Sequence, residues 1–132
     1  MLHHLSLGVS DIERAAAFYD AALAPLGYGR VWEDLRPGEA DQAVGYGVAG
    51  GGDKLALKHR PGQQRPPAPG FHVAFAAPNR EAVSKFHEAA LRHGGKDNGP
   101  PGLRPHYGPH YYAAFVIDPD GHPIEAVVNS AI

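Results

Sequence analysis

The feature that most constrains this chain is an internal repeat, because its first half can be laid on its second half without a gap. Shifted by 68 positions, residues 2–27 align with residues 70–95. The coincident residues are His4 with His72, Glu13 with Glu81, Phe18 with Phe86, residues 21–23 with 89–91, and Gly27 with Gly95. Ordered self-similarity of this length is the signature of a duplicated structural unit. We therefore predict two modules of the same topology.

The pattern of apolar residues predicts a strand, a helix and three further strands in each half. Residues 2–9 alternate with the period of two that a half-buried strand requires. Ser10 to Glu13 has the form of a capping box, so we expect the first helix to begin there and to end at Gly27. In the second half Asn79 is the expected N-cap. The remaining strands are expected at residues 28–35, 43–48, 53–59, 110–117 and 122–128.

A proline-rich segment separates the two halves. Residues 60–70 read RPGQQRPPAPG, and proline cannot donate to a sheet ladder and favours an extended connector. We interpret this segment as a linker between module one, residues 1–59, and module two, residues 71–132, within one domain that spans residues 1–132. The expected fold class is α+β, with two βαβββ modules in tandem.

Composition narrows the chemistry that this chain can perform. Lys and Arg number 12 against 14 Asp and Glu, so no basic face is indicated and nucleic acid is not an expected partner. There is no cysteine, which leaves His, Asp, Glu and Tyr to carry chemistry, and nine histidines are present. No apolar run reaches the roughly 18 residues of a membrane span, and no secretory leader is recognisable. We expect a cytoplasmic protein that does not bind membranes.

Strand parity singles out one of the two adjacent histidines at the start of the chain. Because side chains alternate between the faces of a strand, His4 shares a face with Ser6 and Gly8, whereas His3 shares the opposite, apolar face that the helix must cover. His72 repeats the arrangement, with small alanines two and four residues further on. His4 and His72 are therefore expected on open faces of their sheets.

A carboxylate on the last predicted strand completes a possible ligand set. Glu125 lies within the apolar run IEAVV, where an acid needs a partner. Two histidines and a carboxylate suit a divalent transition metal that keeps open coordination positions. A strand histidine is more often a hydrogen-bonded core residue than a ligand, but the repeated position of His4 and His72, together with Glu125, favours a metal site.

Three stretches of the chain resemble a known family. The segments LHHLSLGVSDIERAAAFYDAALAPLGY, FHVAF and DPDGHPIEAV are similar to the vicinal oxygen chelate superfamily, which includes glyoxalase I, bleomycin-resistance proteins, fosfomycin-resistance proteins and extradiol dioxygenases. The resemblance covers nearly the whole chain. It implies two βαβββ modules whose sheets curl into a cleft, and a divalent metal ion, Fe, Mn, Zn or Ni, bound by His4, His72 and Glu125. It also implies a homodimer, because the family often pairs modules between chains.

Two positions depart from particular branches of that family. Glyoxalase I takes a further ligand from the last strand of its first module, and the 68-residue offset puts Leu57 at that place, which argues against glyoxalase I activity. Three ligands resemble instead the dioxygenase and fosfomycin-resistance arrangement. Extradiol dioxygenases carry a Tyr near the place where this chain has Phe115, which disfavours ring cleavage.

A loop rich in aromatic and ionisable residues is expected beside the cleft. Imidazoles and phenols can move protons, and a guanidinium can orient an anionic or oxygenated substrate. The candidate catalytic residues are His106, Tyr107 and His110, and the candidate substrate-binding residues are Arg104, Tyr111 and Tyr112. The alternative for each residue is a purely structural loop stiffened by proline and packed aromatics.

Three classes of function therefore remain open. The first is a divalent-metal-dependent lyase, isomerase, transferase or dioxygenase acting on a small substrate with vicinal oxygens. The second is a non-catalytic protein that binds a small molecule or drug, of the bleomycin-resistance type. The third is an interaction or regulatory module with a vestigial site. Retention of metal separates the first class from the second.

Overall fold

The computed structural model describes residues 1–62 and 67–131, and these form the two predicted βαβββ units, the second with one additional short strand. Four residues of the predicted linker, 63–66, and residue 132 lie outside the described residues. The first unit contains β1 (Leu5–Val9), α1 (Ile12–Leu23), a single 3-10 turn (Ala24–Leu26), β2 (Gly29–Asp34), β3 (Ala43–Gly47) and β4 (Leu55–His59). The second contains β5 (Val73–Ala76), α2 (Arg80–Arg92), β6 (Lys96–Asp97), β7 (Gly102–Leu103), β8 (Tyr111–Ile117) and β9 (Pro123–Asn129).

Each unit builds its own sheet, and the two sheets have the same strand order. The first sheet runs β1-β4-β3-β2 and the second runs β5-β9-β8-β6, with β7 also paired to β8. In both sheets the first strand lies parallel to the last, and the remaining pairs are antiparallel. This shared topology confirms the α+β class and the duplication. The opening strands β1 and β5 each lie at a sheet edge, which matters for the site.

The residue that caps the helix is the predicted one in the second unit and a different one in the first unit. Asn79 caps α2 as predicted, because its side-chain oxygen accepts from the amide of Ala82 at 2.8 Å. The predicted cap at Ser10 is wrong, since α1 is capped by Asp11, which accepts from the amide of Arg14 at 3.1 Å. Ser10 is engaged elsewhere: its hydroxyl donates to Asp120 at 2.7 Å.

The hydrophobic core is shared by both units. Helices α1 and α2 pack against each other, and the aromatic side chains of Phe18, Tyr19 and Phe86 are completely buried between the layers. Large aromatic side chains supply most of the buried apolar area in such a core. The packing of the helices leaves the opposite face of each sheet available for a site.

A hydrogen-bonded turn connects the second unit to the first. Asp118 precedes the β8–β9 turn, is 3% exposed, and accepts from the Tyr19 hydroxyl at 2.6 Å. Its carboxylate also accepts from the backbone amides of Asp120 and His122 and lies 2.8 Å from Nδ1 of the His122 ring. Burial lowers the pKa of His122, but the hydrogen bond and negative charge of Asp118 outweigh it, so the pKa of His122 is raised.

Within the described part of the chain, no helix has the length and apolar character needed to cross a membrane.

Candidate active site

The site is built around a buried acid on the open face of the second sheet. Glu125, in the middle of β9, is 1% exposed, and its neighbours Ile124 and Ala126 point to the helix side. One carboxylate oxygen, Oε1, lies 3.0 Å from Nε2 of His72, and the other accepts a short hydrogen bond from the Tyr111 hydroxyl. A buried carboxylate is tolerated only when both oxygens find partners. These two side chains satisfy Glu125.

The positions of the two partners follow from the sheet register. Ala74 on β5 pairs with Glu125, and His72 precedes Ala74 by two residues on the same face. On the other side, Phe115 of β8 pairs directly with Glu125, and Tyr111 lies on that face four residues before Phe115. The His72 side chain is 49% exposed, so its ring is open to solvent beside the buried acid.

The third predicted ligand, His4, lies immediately before β1 in the other sheet. Within β1 the predicted alternation is confirmed, since Leu7 and Val9 are buried whereas Ser6 and Gly8 are exposed. The expectation that His3 lies on the face covered by the helix is wrong, because His3 precedes the strand and is exposed like His4. Nδ1 of His4 lies 2.9 Å from Nδ1 of His3, and both rings are exposed. In the part of the chain that the structure describes, no three metal-binding side chains converge. His72 and Glu125 meet within one chain, and His4 does not join them there.

The sheet register corrects the position equated with Glu125 in the first unit. The sequence offset pointed to Leu57, but Ala74 pairs with Glu125 as Ser6 pairs with Ala56. Ala56 is therefore the structural equivalent, and Leu57 faces the core with no exposed surface. The correction arises because the chain between the first and the last strand of a unit is one residue longer in the second unit than in the first. Neither residue can bind a metal through its side chain, so the first unit still lacks a carboxylate at this position.

Part of the aromatic loop reaches the buried acid. Arg104 lies over the ring of Phe115, with its guanidinium carbon 5.3 Å from the ring centroid, and so stands on the face that carries Glu125. The ring of Tyr107 packs edge-on to Tyr111 at 5.2 Å, and His106 packs against Tyr107 at 4.2 Å. A continuous chain of rings therefore leads from the surface to the hydroxyl that contacts Glu125.

Two loop residues are placed away from this cluster. We predicted Tyr112 beside the cleft, but the pleat turns it to the helix side, where Arg80 lies 5.2 Å from its ring centroid and its hydroxyl is 3.5 Å from that of Ser84. Adjacent residues of a strand cannot share a face, which is the reason for this error. His110 is exposed just before β8, and the described residues show no ring contact or hydrogen bond between it and the cluster.

The environment of Tyr111 keeps its phenol protonated. Burial, followed by the hydrogen bond to Glu125, raises the pKa of Tyr111 to about 12. The hydroxyl therefore acts as a donor to the carboxylate throughout the neutral range. Its contact with Glu125 was missed at the sequence level, where Tyr111 was assigned to the substrate. The signal was available: residues 111, 113 and 115 alternate onto the face opposite to the helix.

Paired βαβββ units, each with its first strand beside its last, define the class to which this fold and site belong. The chain belongs to the Glyoxalase/Bleomycin resistance protein/Dioxygenase superfamily, whose family profile matches residues 1–126. No protein among the curated sequences compared with it matches the chain.

Solved structures with the same fold include close matches in length. A glyoxalase/bleomycin resistance protein from Albidiferax ferrireducens T118 is 30% identical, with 94% of each chain covered and a TM-score of 0.71. A glyoxalase family protein from Enterococcus faecalis is 25% identical, with 97% of each chain covered and a TM-score of 0.64. Glyoxalase I from Zea mays is 25% identical over 96% of this chain and 45% of its own, with a TM-score of 0.69.

Proposed function

We propose that this protein is a divalent-metal-dependent enzyme that acts on a small substrate with two neighbouring oxygens, and that His72, Glu125 and His4 hold the metal. The observation that carries the proposal is the approach of Nε2 of His72 to within 3.0 Å of a fully buried carboxylate on an apolar strand. Burying an acid is costly, and a cation shared by the two side chains offsets that cost.

The donor set fits such an ion. Two imidazoles and a carboxylate suit Fe, Mn, Zn or Ni and leave coordination positions open, as a catalytic rather than a structural site requires. When bound, the ion supplies Lewis-acid stabilisation of charge developing on the substrate oxygens. The absence of a carboxylate at Ala56 argues against a four-ligand glyoxalase I centre.

The remaining side chains of the cluster have distinct roles in this proposal. The hydroxyl of Tyr111 donates a hydrogen bond to one oxygen of Glu125 and so fixes the orientation of that carboxylate. Arg104, held over Phe115, attracts the negative charge of the substrate. His106 and Tyr107, at the exposed end of the ring chain, are the candidates for proton transfer with solvent.

We further propose that His4 is supplied by a second copy of the chain. His4 and His72 occupy equivalent positions of the repeat but do not converge within the described residues of one chain. Strands β1 and β5 both lie at sheet edges, and a cavity of about 250 Å³ is lined from both sides, by His4 and Leu5 and by Val73 and Ala74. In a homodimer, the edge carrying His4 in one copy can meet the edge carrying His72 in the other.

Measurement of metal affinity against pH tests the proposed function. Protonation of imidazole competes with metal binding, so affinity should fall steeply as the pH drops through about 6.5, the ordinary value of histidine. Metal content is measured on the purified protein, and affinity by titration of the metal-free form. No tight binding of Fe, Mn, Zn or Ni at neutral pH would overturn the proposal, as would an affinity that stays flat across this range.

A non-catalytic small-molecule binder is the second candidate function. The observation in its favour is a cavity of about 190 Å³ at the junction of the two units, bounded by Tyr28, Tyr46, Leu55 and Phe75. Such apolar cavities suit small organic ligands without any metal. Binding of an aromatic ligand to protein that shows no metal affinity would favour this function over the enzyme.

A further inference from the structure

We propose that Trp32 and Lys58, on the open face of the first sheet, form a subsite for the planar, negatively charged part of an aromatic carboxylate ligand. The proposal deepens the proposed function, on which it rests, because His4 lies on the same sheet face. It assigns a ligand class that neither the buried acid nor its partners specify.

The floor of this subsite consists of small residues placed by the sheet register. Across the sheet, Trp32 pairs with Gly45, Gly45 with Ala56, and Ala56 with Ser6, so these four residues share one face. Ser6 in turn lies two residues beyond His4 on β1. Strands are about 4.8 Å apart, so this row measures about 14 Å from Trp32 to Ser6. Gly45 and Ala56 are buried in this row, so a ligand would contact the exposed indole of Trp32 and the half-buried Lys58, with Ser6 exposed at the far end of the row.

Trp32 is held over this floor by the absence of a side chain at Gly45. A Cβ atom added to Gly45 would lie 2.2 Å from the indole nitrogen and 2.4 Å from a ring carbon of Trp32. The indole therefore packs directly on the backbone of β3, yet 37% of Trp32 stays exposed. A large aromatic side chain that is both fixed and accessible provides a stacking surface at small cost in conformational entropy.

Lys58 gives the subsite its charge. Its ammonium lies 5.9 Å from the centroid of the Trp32 ring, within the range of a cation–π contact. No carboxylate of the described residues forms an ion pair with Lys58, and Asp34, the acid that shares its face, is bound by Arg36 at 2.9 Å. A half-buried cation without a partner carboxylate attracts an anion.

The combination selects one chemical class of ligand. A ring stacked on the exposed indole can present a carboxylate to the adjacent ammonium, so that both contacts form at once. A neutral aromatic amide of the same shape makes only the first contact, and an aliphatic acid makes only the second. Aromatic carboxylates are therefore expected to bind more tightly than either.

The single tryptophan of the chain makes this proposal directly measurable. 4-Nitrobenzoate and its neutral isostere 4-nitrobenzamide quench indole fluorescence on stacking, and each is titrated into the protein after removal of metal with EDTA. We expect saturable quenching by the carboxylate, with an affinity about tenfold higher than that of the amide, as one charge-assisted contact provides. Lys58→Met should abolish the preference and leave stacking of both probes. Lys85→Met, which removes a lysine from the exposed face of α2, should leave the preference unchanged.

The outcomes separate this proposal from the metal proposal. Quenching that does not saturate, equal affinity for the two probes in the unaltered protein, or a preference that survives Lys58→Met would overturn the subsite. Because the titration uses metal-free protein, any of these results leaves metal binding by His72 and Glu125 to be judged separately. Conversely, if the protein prefers the carboxylate probe but has no affinity for metal, the subsite proposal stands and the non-catalytic binder is the favoured function.

Discussion

Glu125 is an acid in an apolar strand, and the two side chains beside it have different consequences. His72 is half exposed and presents a nitrogen that a metal could share, whereas Tyr111 is a protonated phenol that can only donate to the carboxylate. The hydroxyl of Tyr111 therefore orients Glu125 without competing for the ion. Groups that orient a ligand in this way tune metal affinity but do not provide it.

Replacement of Tyr111 by Phe tests this role. Loss of the hydroxyl leaves one oxygen of a buried carboxylate without its partner, so metal affinity should fall by about 10- to 100-fold while the stoichiometry stays unchanged. Tyr112→Phe is the matched control, because Tyr112 lies on the opposite face of the same strand. Isothermal titration of both metal-free variants provides the comparison. Equal affinities for the two variants would contradict the orienting role of Tyr111.

Strand parity could be predicted at the residue scale, and long-range register could not. Alternation along β1 is confirmed for residues 5–9, but it does not extend to the two histidines before the strand, which are both exposed and in contact with each other. The same alternation separates Tyr111 from Tyr112, because neighbours on a strand point to opposite faces. The position equated with Glu125 required the pairing of β1 with β4, and a one-residue difference in loop length shifted it from Leu57 to Ala56.

At the scale of elements, the β8–β9 hairpin holds the two units together through Asp118. The turn itself was predicted from the sequence DPDG, because aspartate, proline and glycine favour tight turns. The hydrogen bonds that the turn accepts from Tyr19 and Ser10 were not predicted, because they join residues about a hundred positions apart. The unpredicted cap of α1 has the same origin, because Ser10 is diverted to Asp120 and leaves Asp11 as the cap.

The hairpin is expected to make stability depend on pH through His122. Asp118 raises the pKa of His122 in the folded state, so His122 contributes stability that is present below about pH 6.5 and is lost as the pH rises through the folded-state pKa. Asp120 adds to this effect, and the Tyr19 hydroxyl also faces Asp118. The difference in free energy of unfolding between the unaltered protein and His122→Asn should be larger at about pH 5.5 than at about pH 8.5.

Urea denaturation of both proteins at the two pH values measures that difference. Titrations common to the two proteins cancel in the comparison, so the remaining change belongs to His122. A difference that stays constant, or that grows as the pH rises, would show that protonated His122 is not the stabilising form.

At the scale of the whole molecule, the central question is how His4 reaches a site that lies in the other sheet. The two sheets have equivalent faces and exposed edge strands, and within one chain the described residues bring only two of the three proposed ligands together. The duplication followed from the 68-residue repeat, and the α+β class followed from the alternation of strand and helix patterns within each half. The relative placement of the two units could not be predicted, because a repeat defines the modules but does not define how they pair.

Mixed dimers distinguish the two pairings. If each site combines His4 of one copy with His72 of the other, a heterodimer of His4→Ala and His72→Ala contains one intact site and one site that lacks both histidines. We expect one tightly bound ion per heterodimer and none in either parent homodimer. The measurement is metal content after purification on two different tags. A heterodimer without metal would indicate that each chain builds its own site.

The most direct test of the account is metal stoichiometry on four single variants, each checked for folding by circular dichroism. We expect His4→Ala, His72→Ala and Glu125→Ala each to lose tight binding, because each removes a ligand. His3→Ala should keep the full stoichiometry, with at most the 10- to 100-fold loss of affinity expected when the partner of a ligand is removed. Loss of the ion from His3→Ala together with its retention in His4→Ala would contradict the assignment of His4 and the site built on it.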